Sequence, residues 1–167
     1  MIRHAVADTK LGWIGMVSSE KGLTFITLPE ASREAALSKI KGFISNSVED
    51  ASAFGDLPSR LQQYFAGNKV NFPDRLDLSG ATAFQQVIWN LTRAIPYGET
   101  RSYAWVARLG GSPSASRAVG GALARNRLPI IVPCHRVVAS DGGLGGFSGG
   151  KELKKQLLDL EAVAYKC

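Results

Sequence analysis

The sequence predicts an α+β protein in two parts. A small N-terminal domain of strands and helices spans 1–75, and a mainly helical C-terminal domain spans 80–167. That second part holds a helix-turn-helix and a cysteine-bearing turn. Three observations lead there. Short runs of β-branched and aromatic residues crowd the first thirty positions, apolar residues recur at helical spacing from Phe84 onward, and a stretch rich in Gly, Asn, Pro and Ser at 67–81 lies between. The 167 residues are 45% apolar and 20% charged, which suits a packed core and not a disordered chain.

In order, residues 2–7, 12–18 and 22–28 read as strands. Hairpin turns at Asp8-Thr9-Lys10 and Ser19-Glu20-Lys21-Gly22 join them. A stretch rich in Ala, Leu and Glu predicts a helix over 30–43, and Leu57, Leu61 and Tyr64 on one face predict another near 57–66. His4 falls in a strand pattern and reads as structural. Further on, Phe84, Val87, Ile88, Leu91 and Ile95 follow the spacing of an amphipathic helix, which Pro96-Tyr97-Gly98 ends. The run TRSYAWVARLGGSPSASRAVGGALARN divides into two short helices around Gly110-Gly111-Ser112. Ser112 is placed to cap the second and Pro113 to open it. The layout suits a helix-turn-helix, and equally an αα-hairpin that never meets DNA. Ile130, Ile131 and Val132 then enter Pro133-Cys134-His135-Arg136-Val137-Val138, a buried strand or turn. The glycine-rich SDGGLGGFSGG precedes a last helix over 151–164.

Several function classes drop out. No stretch reaches the roughly 18 apolar residues of a membrane helix, and the N-terminus lacks a secretory pattern. Two cysteines, Cys134 and Cys167, cannot build a disulfide framework. With His4 and His135 as the whole histidine complement, no metal site and no cofactor are expected. A cytoplasmic protein with reduced thiols is the expectation, with Cys167 an exposed thiol on a frayed end. Residues 145–151, GGFSGGK, fit the start of a phosphate-binding loop. Glu152 stands where Ser or Thr must hold magnesium, and it would repel phosphate.

Charge is unevenly placed. Of 20 basic and 14 acidic residues, residues 1–80 hold nine of each, so the excess of +6 belongs to the second half. Between Glu99 and Asp141 there is no acid, but there are six arginines: Arg101, Arg108, Arg117, Arg125, Arg127 and Arg136. A solvated basic face accounts for this, and so does a surface for a polyanion. Arginine without lysine leans toward the second.

Cys134 also admits two readings. After an Ile-Ile-Val run it can be a small buried hydrophobe. Its neighbours His135 and Arg136, a base and a cation, are the groups that activate a thiol. Consecutive strand residues face opposite ways, so a nucleophile at Cys134 needs a sharp turn or a bridging water to reach His135. An orienting carboxylate would come from Glu152, Asp159 or Glu161.

PCHRVV, preceded by IPYGETRSYAWVARLGGSPSASRAVGGALARN and followed by GGLGGFSGG and LLDLE in that order and spacing, resembles the O6-alkylguanine-DNA alkyltransferases. The resemblance covers about 80–162, while residues 1–75 fit the family in length and strand-then-helix character. It implies a one-shot repair protein. Cys134 would take the alkyl group from O6-alkylguanine in double-stranded DNA, with O4-alkylthymine a second candidate lesion. His135 would activate the thiol through a water, Glu161 would orient His135, and Asn126 would brace the turn. Tyr103 would protonate the departing guanine. Leu123, Val137, Phe147 and Ser148 would form the base pocket. Arg117 would enter the base stack as a finger, and Ser112, Ala118, Gly121, Arg101 and Arg127 would lie against DNA. A monomer is expected, with clustering on DNA left open. Arg127 departs from the proline often found there, and Phe147 from a tyrosine. A non-catalytic DNA-binding module and a Cys-His hydrolase are the rivals.

Overall fold

β1 (Ile2–Thr9), β2 (Gly12–Ser19) and β3 (Gly22–Ile26) form where β-branched and aromatic residues cluster, and each pairs antiparallel with the next. The turns are tighter than the sequence suggests, centred on Lys10-Leu11 and Glu20-Lys21. The sheet gains a short fourth strand, β4 (Ser47–Glu49), parallel to β1, giving the order β3-β2-β1-β4. Three residues of no special pattern cannot be read as a strand without the neighbour that pairs them. His4 is structural, its Nδ1 lying 2.6 Å from the Ser47 hydroxyl.

The single helix expected over 30–43 is two, α1 (Arg33–Lys39) and α2 (Lys41–Ile44). Ser32 caps α1 by accepting from the Ala35 N–H, and the chain breaks at Ile40, fully buried with φ −102° and ψ 5°. α3 (Leu57–Phe65) buries Leu57, Leu61 and Tyr64 completely against the rest of its unit. Each apolar side chain of that size contributes about 2 kcal/mol.

The structure, a computed structural model, describes residues 1–164, so Cys167 lies outside the described residues. The chain forms two units. One is Met1–Ser79 with Arg127–Pro129, and the other is Gly80–Asn126 with the chain from Ile130. In the first, the Ile26 N–H donates to the Arg127 carbonyl at 2.9 Å.

The second unit is built on α4 (Ala83–Arg93), which opens with a reciprocal Thr82–Gln85 capping box. β5 (Arg101–Ser102) leads directly into α5 (Tyr103–Leu109), capped by Ser102. After a turn comes α6 (Ser116–Ala124). Trp89 of α4 donates its indole N–H to the Ala122 carbonyl at 2.8 Å, tying α4 to α6. β6 (Val137–Val138) pairs parallel with β5, and α7 (Lys151–Leu160) closes the unit, four residues shorter than expected. Among the described residues, no helix is long and apolar enough to cross a membrane.

Candidate active site

The site is a turn. Cys134–Arg136 forms one 3-10 turn between the buried run Ile130-Ile131-Val132 and β6. A turn removes the objection that adjacent strand residues diverge. The backbone entering it is strained, because Ile130, β-branched and 2% exposed, has φ +74°. Asn126 braces the lead-in, its Nδ2 donating to the Val132 carbonyl at 2.9 Å, and the Cys134 N–H donates to that same oxygen at 2.8 Å.

Cys134 is 6% exposed and lines a pocket of about 560 Å³ shared with Tyr103, Arg117, Leu123, Phe147 and Ser148. A purine fits such a volume. Burial pushes the thiol pKa up, opposed by a hydrogen bond from Asn126 and by the charge of Lys154. The cation expected from sequence, Arg136, does not serve here. It is 7% exposed, and its Nε and Nη2 donate to the two Glu161 carboxylate oxygens at 2.8 and 3.2 Å.

Glu161 is the acid that meets His135, of the three the last helix offered. It sits at the C-cap of α7, its side chain fully buried, with Oε2 2.6 Å from His135 Nε2. The Gly98 N–H donates to Oε1 at 3.2 Å. Burial pushes the Glu161 carboxyl up, but hydrogen bonds and charge from His135 and Arg136 outweigh it and bring the pKa to about 2. An ionised carboxylate only accepts, so Nε2 carries the ring proton and Nδ1 is left as the acceptor. Burial, opposed by Glu161, pushes the His135 pKa down, so the ring rests neutral.

Lys154 is the site residue that sequence reasoning missed. It is fully buried, and its ammonium donates to the carbonyls of Val137 at 2.7 Å and Gly146 at 3.1 Å. Burial lowers its pKa to about 8. The Gly146 carbonyl also accepts from the Tyr103 hydroxyl at 3.1 Å, so Lys154 and Tyr103 pin the glycine-rich loop at one point. A signal was present: Lys154 stands three and four residues before the buried Leu157 and Leu158, in phase with the apolar face.

Other expected residues are placed differently. Val137 is fully buried in β6 and does not line the pocket; consecutive strand side chains alternate, and its carbonyl serves Lys154 instead. Ser112 does not cap α6. Its carbonyl accepts from the Ala115 N–H in the preceding turn, and α6 starts at Ser116 without a side-chain cap. Arg101 pairs with Glu99 at 2.9 Å and rests over the Trp105 ring. Arg127 belongs to the first unit, donating to the Ser79 and Asp77 carbonyls at 3.0 and 3.3 Å. Of the six arginines, Arg108, Arg117 and Arg125 are the exposed ones. Ala118 is exposed beside Arg117 on α6, and Gly121 is half-buried.

Residues 2–78 match the ribonuclease-like domain of 6-O-methylguanine DNA methyltransferase, and residues 83–163 match its DNA-binding domain. The methylated-DNA–protein-cysteine methyltransferase of Methanosarcina acetivorans is 37% identical over 95% of this chain and 97% of its own. The chain belongs to this family. The constitutive methylated-DNA–protein-cysteine methyltransferase of Bacillus subtilis is 39% identical over 98% of this family member and 97% of its own length. Among solved structures, Mycobacterium tuberculosis OGT in complex with DNA superposes with TM-score 0.79 at 39% identity. That match covers 95% of this chain and 92% of the other. The O6-methylguanine-DNA methyltransferase of Pyrococcus kodakaraensis strain KOD1 gives 0.76 at 29%, covering 96% and 99%.

Proposed function

We propose that this protein repairs DNA by direct reversal, moving the alkyl group of O6-alkylguanine onto Cys134 in one irreversible turnover. The observation that carries this reading is a buried thiol on an apolar, purine-sized pocket, beside the neutral His135 that Glu161 holds. A DNA regulator has no use for buried Lys154, Arg136 and Glu161 gathered with a neutral imidazole behind a cysteine.

In the reaction, Cys134 Sγ attacks the alkyl carbon as the bond from that carbon to guanine O6 breaks. The thiol proton passes through a water to His135 Nδ1, and guanine takes a proton as it leaves. The product thioether has no ready leaving group, so the protein is spent. Ionisation of a buried thiol is costly, and Lys154 and Asn126 lower that cost. Tyr103 donates the proton to guanine after releasing the Gly146 carbonyl, since one hydroxyl proton serves one acceptor at a time. The damaged nucleotide must first be flipped from the stack, at less cost for a poorly paired base. Exposed Arg117, on the pocket rim, fills the gap, and Ala118 and Gly121 let α6 approach the sugar-phosphate backbone. The partner is double-stranded DNA carrying the lesion. The protein acts as a cytoplasmic monomer, several copies of which cluster along DNA.

Intact mass measured after mixing with a duplex carrying O6-methylguanine tests the reading. One methyl group per protein, mapped to Cys134 and absent from Cys134→Ala, is the expected result. An unmodified protein that still holds the duplex is a sensor, and repeated turnover is hydrolase behaviour. Either outcome overturns alkyl transfer.

A further inference from the structure

Arg136 stands next to the reactive cysteine in sequence, yet its guanidinium is committed elsewhere. Nε and Nη2 grip both oxygens of Glu161, and Nη1 donates to the Ile95 carbonyl at 2.8 Å. The group sits over the Tyr97 ring, 5.7 Å from its centroid, and it is not among the residues lining the pocket. Such a fork is expensive to bury, so its placement needs a reason.

Charge supplies one. A fully buried carboxylate beside an imidazole draws a proton onto the ring, because the imidazolium–carboxylate pair cancels its charge. An imidazolium cannot accept the thiol proton. We propose that Arg136 is a positioning residue that neutralises Glu161 itself, so that His135 keeps its acceptor nitrogen free of a proton in the resting protein. Once the proton has moved, Arg136, His135 and Lys154 carry positive charge against Glu161 and the thiolate. Without Arg136, the imidazole is the side-chain partner left to Glu161, and a proton on the resting ring is what would balance the carboxylate. The charged groups acting on the ring are Glu161 and Lys154 from α7 and Arg136 from its own turn. α4, packed on the same turn, carries one charged side chain, Arg93, in its last turn.

The inference rests on the alkyl-transfer reading for its purpose but not for its test. The sequence has two histidines, so ring NMR signals resolve His135 from His4 during a pH titration. In Arg136→Gln the His135 titration should move up by at least about one unit. The rate of methyl transfer at neutral pH should fall about tenfold and recover as pH rises, since one pKa unit is a tenfold change in proton occupancy. Arg136→Lys, which keeps the charge without the fork, should restore most of both. A folded Arg136→Gln with the wild-type His135 titration and pH profile overturns the proposal. If Arg136→Gln fails to fold, the same titration in Arg136→Lys decides, with a small upward shift expected and no shift overturning it. Should the wild type take no methyl group, the transfer reading fails while the titration still judges Arg136.

Discussion

Glu161 concentrates the physics of the site in one carboxylate. Burial pushes it up, but hydrogen bonds and charge from His135 and Arg136 together bring its pKa to about 2 against an ordinary value of 4.5. A group with a depressed folded pKa contributes stability that is complete above the unfolded value and is lost as pH falls through the folded one. Chemical denaturation followed from pH 6 to pH 2 should therefore show stability declining below about pH 4.5, with Asp77, also brought to about 2, adding to the decline. Glu161→Gln should flatten part of that slope and cost about 3–5 kcal/mol at pH 7, because Arg136 would stay buried without its counter-charge. The residues alone set the thiol beside His135 and leave three acids of the last helix open as its partner; the family resemblance points to Glu161, which lies 2.6 Å from the ring. The direction each side chain takes is not legible. PCHR places Arg136 beside Cys134, and the turn then sends it to Glu161. Lys154 stays hidden among three lysines of one helix until the phase of Leu157 and Leu158 singles it out.

Elements show a similar division. The three hairpin strands follow from their β-branched and aromatic runs, and α3 and α4 from the helical spacing of their apolar residues. β4 and the break at Ile40 do not, since both depend on partners distant in sequence. α7 contributes twice to the site, with Lys154 and Glu161 seven residues apart on one helical face. The loop before it is set by a glycine. Gly145 has φ +70°, and a Cβ there would lie 2.8 Å from the Tyr103 ring. Gly145→Ala should cost about 1–3 kcal/mol of backbone strain. It should also displace Tyr103, slowing methyl transfer more than it weakens binding to undamaged duplex. Single-turnover rates and binding titrations on the same variant would show the split.

For the whole molecule, the acid-free arginine run presents fewer cations than its sequence suggests. Six arginines suggest a broad anionic footprint, but Arg101, Arg127 and Arg136 are engaged within the protein, leaving Arg108, Arg117 and Arg125 exposed. If each neutralises one phosphate, the logarithm of affinity for undamaged duplex should fall with the logarithm of salt at a slope of about −3. A slope near −5 in fluorescence titrations would mean that the internally paired arginines also reach DNA. The sequence reads as two successive halves, yet the chain is not partitioned by one boundary. It enters the first unit again for Arg127–Pro129, directly after Asn126, and returns at the strained Ile130, four residues before Cys134. No single scissor cut can therefore separate these units cleanly. A truncation that begins at residue 80 keeps every pocket residue but strands Arg127, whose hydrogen bonds with Ile26, Asp77 and Ser79 lie in the deleted part. The first unit therefore includes chain from both halves of the sequence, and its integrity depends on residues the amino-terminal portion does not contain.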